Sequence, residues 1–137
     1  MKKLALLATI ALAACATQPK GDSSFTPIPA FADTGNPDAI VCDASVDAKA
    51  IVALAGNNQS AEFVQFVRDA RKANRCRFLN NTHPLDVLGY APIRTLNGTL
   101  FVIEFVQDAK VMYSSPNYFD KAGPQTLLWE RALQAQP

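Results

Sequence analysis

The residues of this chain that could do chemistry are few and far apart. There is one histidine, His83, followed directly by Pro84 in a turn-forming run. Three cysteines stand at positions 15, 42 and 76, and no two of them have CxxC spacing. A catalytic thiol needs a depressed pKa and a neighbouring base, so Cys42 or Cys76 would have to meet His83. A metal site needs several His, Cys or carboxylate ligands converging, and no run has that spacing. Glycine-rich phosphate loops and the Gly-x-Ser-x-Gly elbow are absent. Asp86, Glu104 and Asp108 could supply a glycosidase-type carboxylate pair, but alternation puts Glu104 on the outward side of a strand. Asn80-Asn81-Thr82 and Asn97-Gly98-Thr99 fit a glycosylation sequon and read as turns. The expectation is a protein that is not an enzyme, with no metal and no cofactor.

One charge feature stands out. Arg68, Arg71, Lys72, Arg75 and Arg77 are concentrated in one stretch and offset only by Asp69. Such a run is either a solvated helix face or a contact for anionic headgroups, cell-wall carboxylates or an acidic partner.

These residues sit in a chain with a marked N-terminus. Met1-Lys2-Lys3 precedes an apolar run from Leu4 to Ala14, the pattern of a secretory signal. The run is shorter than the ~20 residues a membrane span requires. It ends in Leu12-Ala13-Ala14-Cys15, which resembles the bacterial lipobox. That resemblance implies removal of residues 1–14, a diacylglyceryl group on the Cys15 thiol and acylation of its new amine. Several buried acyl chains make such an anchor stable. In Gram-negative lipoproteins an Asp after the cysteine tends to hold the protein at the inner membrane. Ala16 stands there instead, so the resemblance implies the outer membrane, facing the periplasm.

Cleavage leaves 137 less 14, or 123, residues, with 13 less 2, or 11, basic side chains against 12 acidic ones. A near-neutral balance argues against a nucleic-acid partner. With Cys15 lipidated, Cys42 and Cys76 remain as an even pair in an oxidising compartment, which favours one disulfide over a reactive thiol or metal pair.

Residues 15–40 carry prolines at 19, 27, 29 and 37 and show no helical or strand period. They read as a flexible tether spanning roughly 25–30 Å, part of which can dock through Phe25, Ile28 and Phe31. Residues 41–137 then form one α+β domain. A helical hairpin is expected over 43–75, capped by Asp43 or Ser45 and turning at Gly56-Asn57-Asn58. Phe63, Val67, Ala70 and Ala73 form the apolar stripe of its second helix, with Phe66 alongside. A Cys42–Cys76 bridge would staple the base of that hairpin. Short strands follow, and Asn97-Gly98 predicts a type I′ turn because both residues tolerate positive φ. A C-terminal helix is expected over 125–135, with Leu128, Trp129, Ala132 and Leu133 available to cover the domain.

Residues 76–120 resemble the end of bacterial SH3-like domains. In that family an aromatic on the fourth strand and a large apolar residue after a serine-rich turn close a small barrel, and Tyr113 and Phe119 match them. The family's usual Gly-Trp pair is replaced by Met112-Tyr113. The resemblance implies a disulfide-stapled helical hairpin followed by a small antiparallel SH3-like β-barrel. It also makes Tyr90, Tyr113 and Tyr118 candidates for the aromatic surface with which such domains grip extended peptides. The functional expectation is a lipid-anchored binding or scaffold module for peptidoglycan or an envelope protein. The other is an anchored inhibitor or exclusion factor against an incoming enzyme, phage or conjugation machine.

Overall fold

A computed structural model describes residues 24–136. The expected signal peptide (1–14), Cys15 and the start of the expected tether lie outside the described residues. The central strand shows why the fold differs from a barrel. Residues 98–107 alternate, yet both faces are apolar: Phe101, Ile103 and Phe105 on one side, Leu100 and Val102 on the other. A strand of that kind belongs in a sheet covered on both sides.

The elements run β1 (Thr26–Asp33), β2 (Ile40–Cys42), α1 (Ser45–Gly56), α2 (Ser60–Lys72), β3 (Cys76–Phe78), β4 (Leu85–Thr95), β5 (Gly98–Gln107) and β6 (Lys110–Ser114). A 3₁₀ turn (Pro116–Tyr118) and α3 (Ala122–Gln134) complete the chain. The strands form one six-stranded antiparallel sheet in the order β1-β4-β5-β6-β2-β3. Edge strands β1 and β3 do not pair, so the sheet is open and the expected SH3-like barrel over 76–120 is not formed. Two of the six strands precede the helices, outside the stretch that suggested a barrel.

The two faces carry separate cores. Ile51, Val52 and Ala48 of α1, with Ala70 of α2, pack on Ala91, Val102 and Tyr113. Trp129 and Ala122 of α3 pack on Tyr90, Phe101, Ile103 and Phe105 on the other side. Trp129 stacks on Tyr90 at 4.7 Å between ring centroids and 9° between planes, and meets the Phe101 ring edge-on at 5.7 Å. Covering both faces also reverses the placement of Glu104. It is only 7% exposed and accepts a hydrogen bond from the Tyr113 hydroxyl at 3.0 Å.

Further expectations are corrected. The expected tether over 15–40 is strand from Thr26 onward, because Ile28 and Phe31 pack against the α3-side core. Pro27 and Pro29 look incompatible with a strand, but β1 lies at the edge, where a missing N–H donor is tolerated. Its pairing with β4 is irregular between Pro27 and Phe31. The close approach depends on Gly89, where a Cβ would stand 2.7 Å from the Thr26 carbonyl oxygen.

At the β4–β5 hairpin only Gly98 takes positive φ (95°), so the type I′ turn expected at Asn97-Gly98 is not made. The Asn97 side chain is used elsewhere: its Nδ2 donates to the Gly56 carbonyl and to Asn58 Oδ1, both at 2.9 Å. Two consecutive left-handed residues occur instead at Asp108 and Ala109 (φ 51° and 63°), joining β5 to β6.

At the helices, Ala44 rather than Asp43 or Ser45 stands at the N-cap of α1, with no side-chain cap hydrogen bond of its own. Ala73 is exposed, and Ala70 alone is fully buried on α2. Finally, α3 begins at Ala122 rather than 125, because buried Asp33 accepts from the Lys121 and Ala122 amides at 2.9 and 2.8 Å. Leu128 and Ala132 remain exposed on it.

Candidate binding surfaces

The cysteines come together as a Cys42–Cys76 disulfide with Cα atoms 4.1 Å apart. It is a cross-strand bridge between β2 and β3, directly opposite in register, and it closes the segment holding the helix pair. His83 is exposed on the loop before β4, with its carbonyl accepting from Gln107 at 3.0 Å. Asp86 and Asp108 are exposed while Glu104 is buried, so these carboxylates are not gathered into a pair. Among the described residues no three His, Cys, Asp or Glu side chains are grouped to hold a metal.

The basic run divides by what each cation touches. Arg75 binds buried Asp47 of α1 at 2.6 Å and lies over the Phe66 ring at 5.6 Å, which ties α2 to α1. Arg77 of β3 grips Asp43 at 2.6 Å, joined by Lys110 at 3.0 Å. Hydrogen bonding from Arg77, outweighing partial burial, holds the Asp43 carboxyl below its ordinary 3.8. Arg75 and Arg77 are therefore structural.

Arg68, Arg71 and Lys72 are exposed and line an open groove between α2 and β3. Its walls include Val64, Val67 and Phe78, and Val64 and Phe78 stay 51% and 41% exposed. The Arg71 guanidinium sits 4.2 Å above the Phe78 ring. An anion entering here would meet three cations within about one turn of helix, beside an apolar surface.

The tyrosines are not one surface. Tyr90 is buried beneath Trp129, and Tyr113 is buried between Phe25 (5.2 Å) and Glu104, so neither offers a binding face. Tyr118 is half-buried and borders a cleft that the sequence did not reveal. This cleft encloses about 290 Å³ between α1, the first residues of β5, the 3₁₀ turn and α3. Its one legible sign was a mismatch in length. The strand-forming run from Thr99 continues for eight residues, whereas the next is stopped by Ser114-Ser115-Pro116.

Comparison with protein-family models, with curated proteins and with solved structures gives no match. Neither the lipobox nor the SH3-like resemblance gains support from it.

Proposed function

We propose that this chain is a lipid-anchored cell-envelope protein that acts as a non-catalytic binding module for an anionic envelope component. The observation that carries the reading is the groove between α2 and β3, where Arg68, Arg71 and Lys72 surround exposed Phe78. Among the described residues no carboxylate pairs with Arg68, Arg71 or Lys72, unlike Arg75 and Arg77. Support for the location comes from the Met1–Cys15 pattern and from the bridged Cys42–Cys76 pair, which suits an oxidising compartment. Cell-wall carboxylates and acidic segments of envelope proteins share the required chemistry.

The test is binding of the mature protein to purified sacculi and to anionic vesicles at low and high salt. Each cation near an anionic surface contributes about 1 kcal/mol, screened over ~8 Å at physiological salt. Arg68→Gln/Arg71→Gln/Lys72→Gln should therefore weaken low-salt binding by about two orders of magnitude and leave the unfolding midpoint nearly unchanged. Equal binding by variant and wild type at every salt concentration sinks the reading. Anchoring is read separately: Cys15→Ser should abolish fatty-acid labelling, and an unlabelled wild type refutes the anchor.

A further inference from the structure

The sheet contains an interrupted edge in its middle. β5 pairs with β4 from Asp86↔Val106 down to Thr95↔Gly98. On its other side it pairs with β6 only from Ile103↔Ser114 to Gln107↔Lys110. Pro116 then takes the chain out of the sheet and into the 3₁₀ turn. Among the described residues, no strand therefore lies on that side of β5 from Gly98 to Val102. In an antiparallel ladder every second residue there turns both its N–H and its C=O toward the vacant side. Among the described residues, Thr99, Leu100 and Phe101 make no backbone hydrogen bond outside the sheet.

That bare edge is not on the surface of the sheet's outer strand. Thr99, Leu100 and Phe101 line the cleft of about 290 Å³, just under the ~300–1,000 Å³ typical of ligand sites. The body of the cleft is apolar, formed by Ile51 and Val52 of α1, Phe63 of α2 and the Tyr118 ring. Hydroxyl and amide groups of Ser115, Asn117 and Thr126 stand along it. Among the described residues Glu130 is its one charged side chain, so its electrostatics oppose those of the basic groove. Phe63 is the one residue the two sites share.

We propose that the cleft binds a short extended peptide, neutral or basic, which adds as a partial strand beside Thr99–Phe101 and seats an apolar side chain between α1 and Tyr118. Unpaired strand groups demand complementary main-chain donors and acceptors, which a lipid chain or an aromatic small molecule lacks. An apolar pocket beside them selects the side chain, and the Glu130 carboxylate disfavours an acidic segment. The site is independent of the α2–β3 groove, so its failure leaves the anionic-partner reading standing.

The test uses the full mature chain carrying Cys15→Ser, free of detergent, followed by amide NMR. Three probes are titrated: acetyl-Ser-Val-Lys-Val-Ser-amide, the same peptide methylated on both valine nitrogens, and the version with Glu in place of Lys. The expected result is shifts and slowed exchange at Thr99–Phe101 and shifts through Ser115–Tyr118 with the first peptide. N-methylation should weaken binding by about thirtyfold, the size of two lost hydrogen bonds, and Glu should also weaken it. Ala55→Phe, at an exposed position on the cleft wall, should abolish the shifts without moving the unfolding midpoint. Equal affinity of the N-methylated probe, absence of shifts at Thr99–Phe101, or undiminished binding by Ala55→Phe would each overturn the proposal.

Discussion

Reduction of the Cys42–Cys76 bridge is the perturbation whose size follows most directly from the structure. The two residues are 34 positions apart, and the closed segment contains both α1 and α2. On the chain-entropy model, releasing a loop of that length costs about 4 kcal/mol. Stability of a domain this size is about 5–15 kcal/mol, so reduction removes a quarter or more of it. The local consequence is specific. Among the described residues β3 has three residues and only β2 as a sheet neighbour, so without the bridge its docking rests on that short ladder, the Arg77–Asp43 pair and contacts from α2. The Cys15→Ser chain should unfold about 10–20 °C lower with reductant than without, in scans followed by far-UV circular dichroism. Alkylation of denatured, unreduced protein should label neither Cys42 nor Cys76. Labelling of both thiols, or reduced and oxidised forms within ~1 kcal/mol of one another in urea, would refute the reasoning.

Other perturbations read single contacts. Asp43 has its pKa depressed by Arg77, so its contribution is complete above the ordinary value of 3.8 and is lost as pH falls through the lower folded value. Asp43→Asn should thus destabilise at pH 7 and converge with wild type in strong acid; a pH-independent difference in urea midpoint contradicts that assignment. Trp129→Ala removes the anchor of α3 from between Tyr90 and Phe101 and should cost about 3–5 kcal/mol in denaturant unfolding. A loss below ~1 kcal/mol would mean that α3 is held mainly by Asp33. Ala109→Gly relieves a left-handed alanine in the β5–β6 turn and should stabilise by about 0.5–1 kcal/mol, with destabilisation as the contrary result.

How much of this was legible in the chain depended on range. The helix pair ends at Gly56-Asn57-Asn58 and resumes at Ser60 because such signals act within a turn or two of backbone. The strong strand from 98 to 107 and the pairing of Cys42 with Cys76 were readable for similar reasons, the latter through parity and compartment. The basic run was visible as composition, and what remained hidden was its division. Arg75 differs from Arg71 only in what lies across from it, a buried carboxylate 28 residues earlier in one case and an exposed Phe78 ring in the other. Glu104 was misplaced because alternation tells inside from outside only when one face of a sheet is wet, and here helices cover both.

The sequence by itself determined the helix pair, the long strand from 98 to 107, the near-neutral charge and the set of cations available for binding. Tertiary structure alone decided that the proline-bearing segment 26–33 is an edge strand, because only its position beside β4 makes Pro27 and Pro29 harmless. It also decided that the sheet stays open. Strand order is a property of long-range pairing, and inserting β2 between β6 and β3 leaves β1 and β3 at opposite edges. The cleft arises from the same pairing. Five residues of β5 outlast their neighbour, and which backbone groups go without a partner is settled only when the strands are laid side by side.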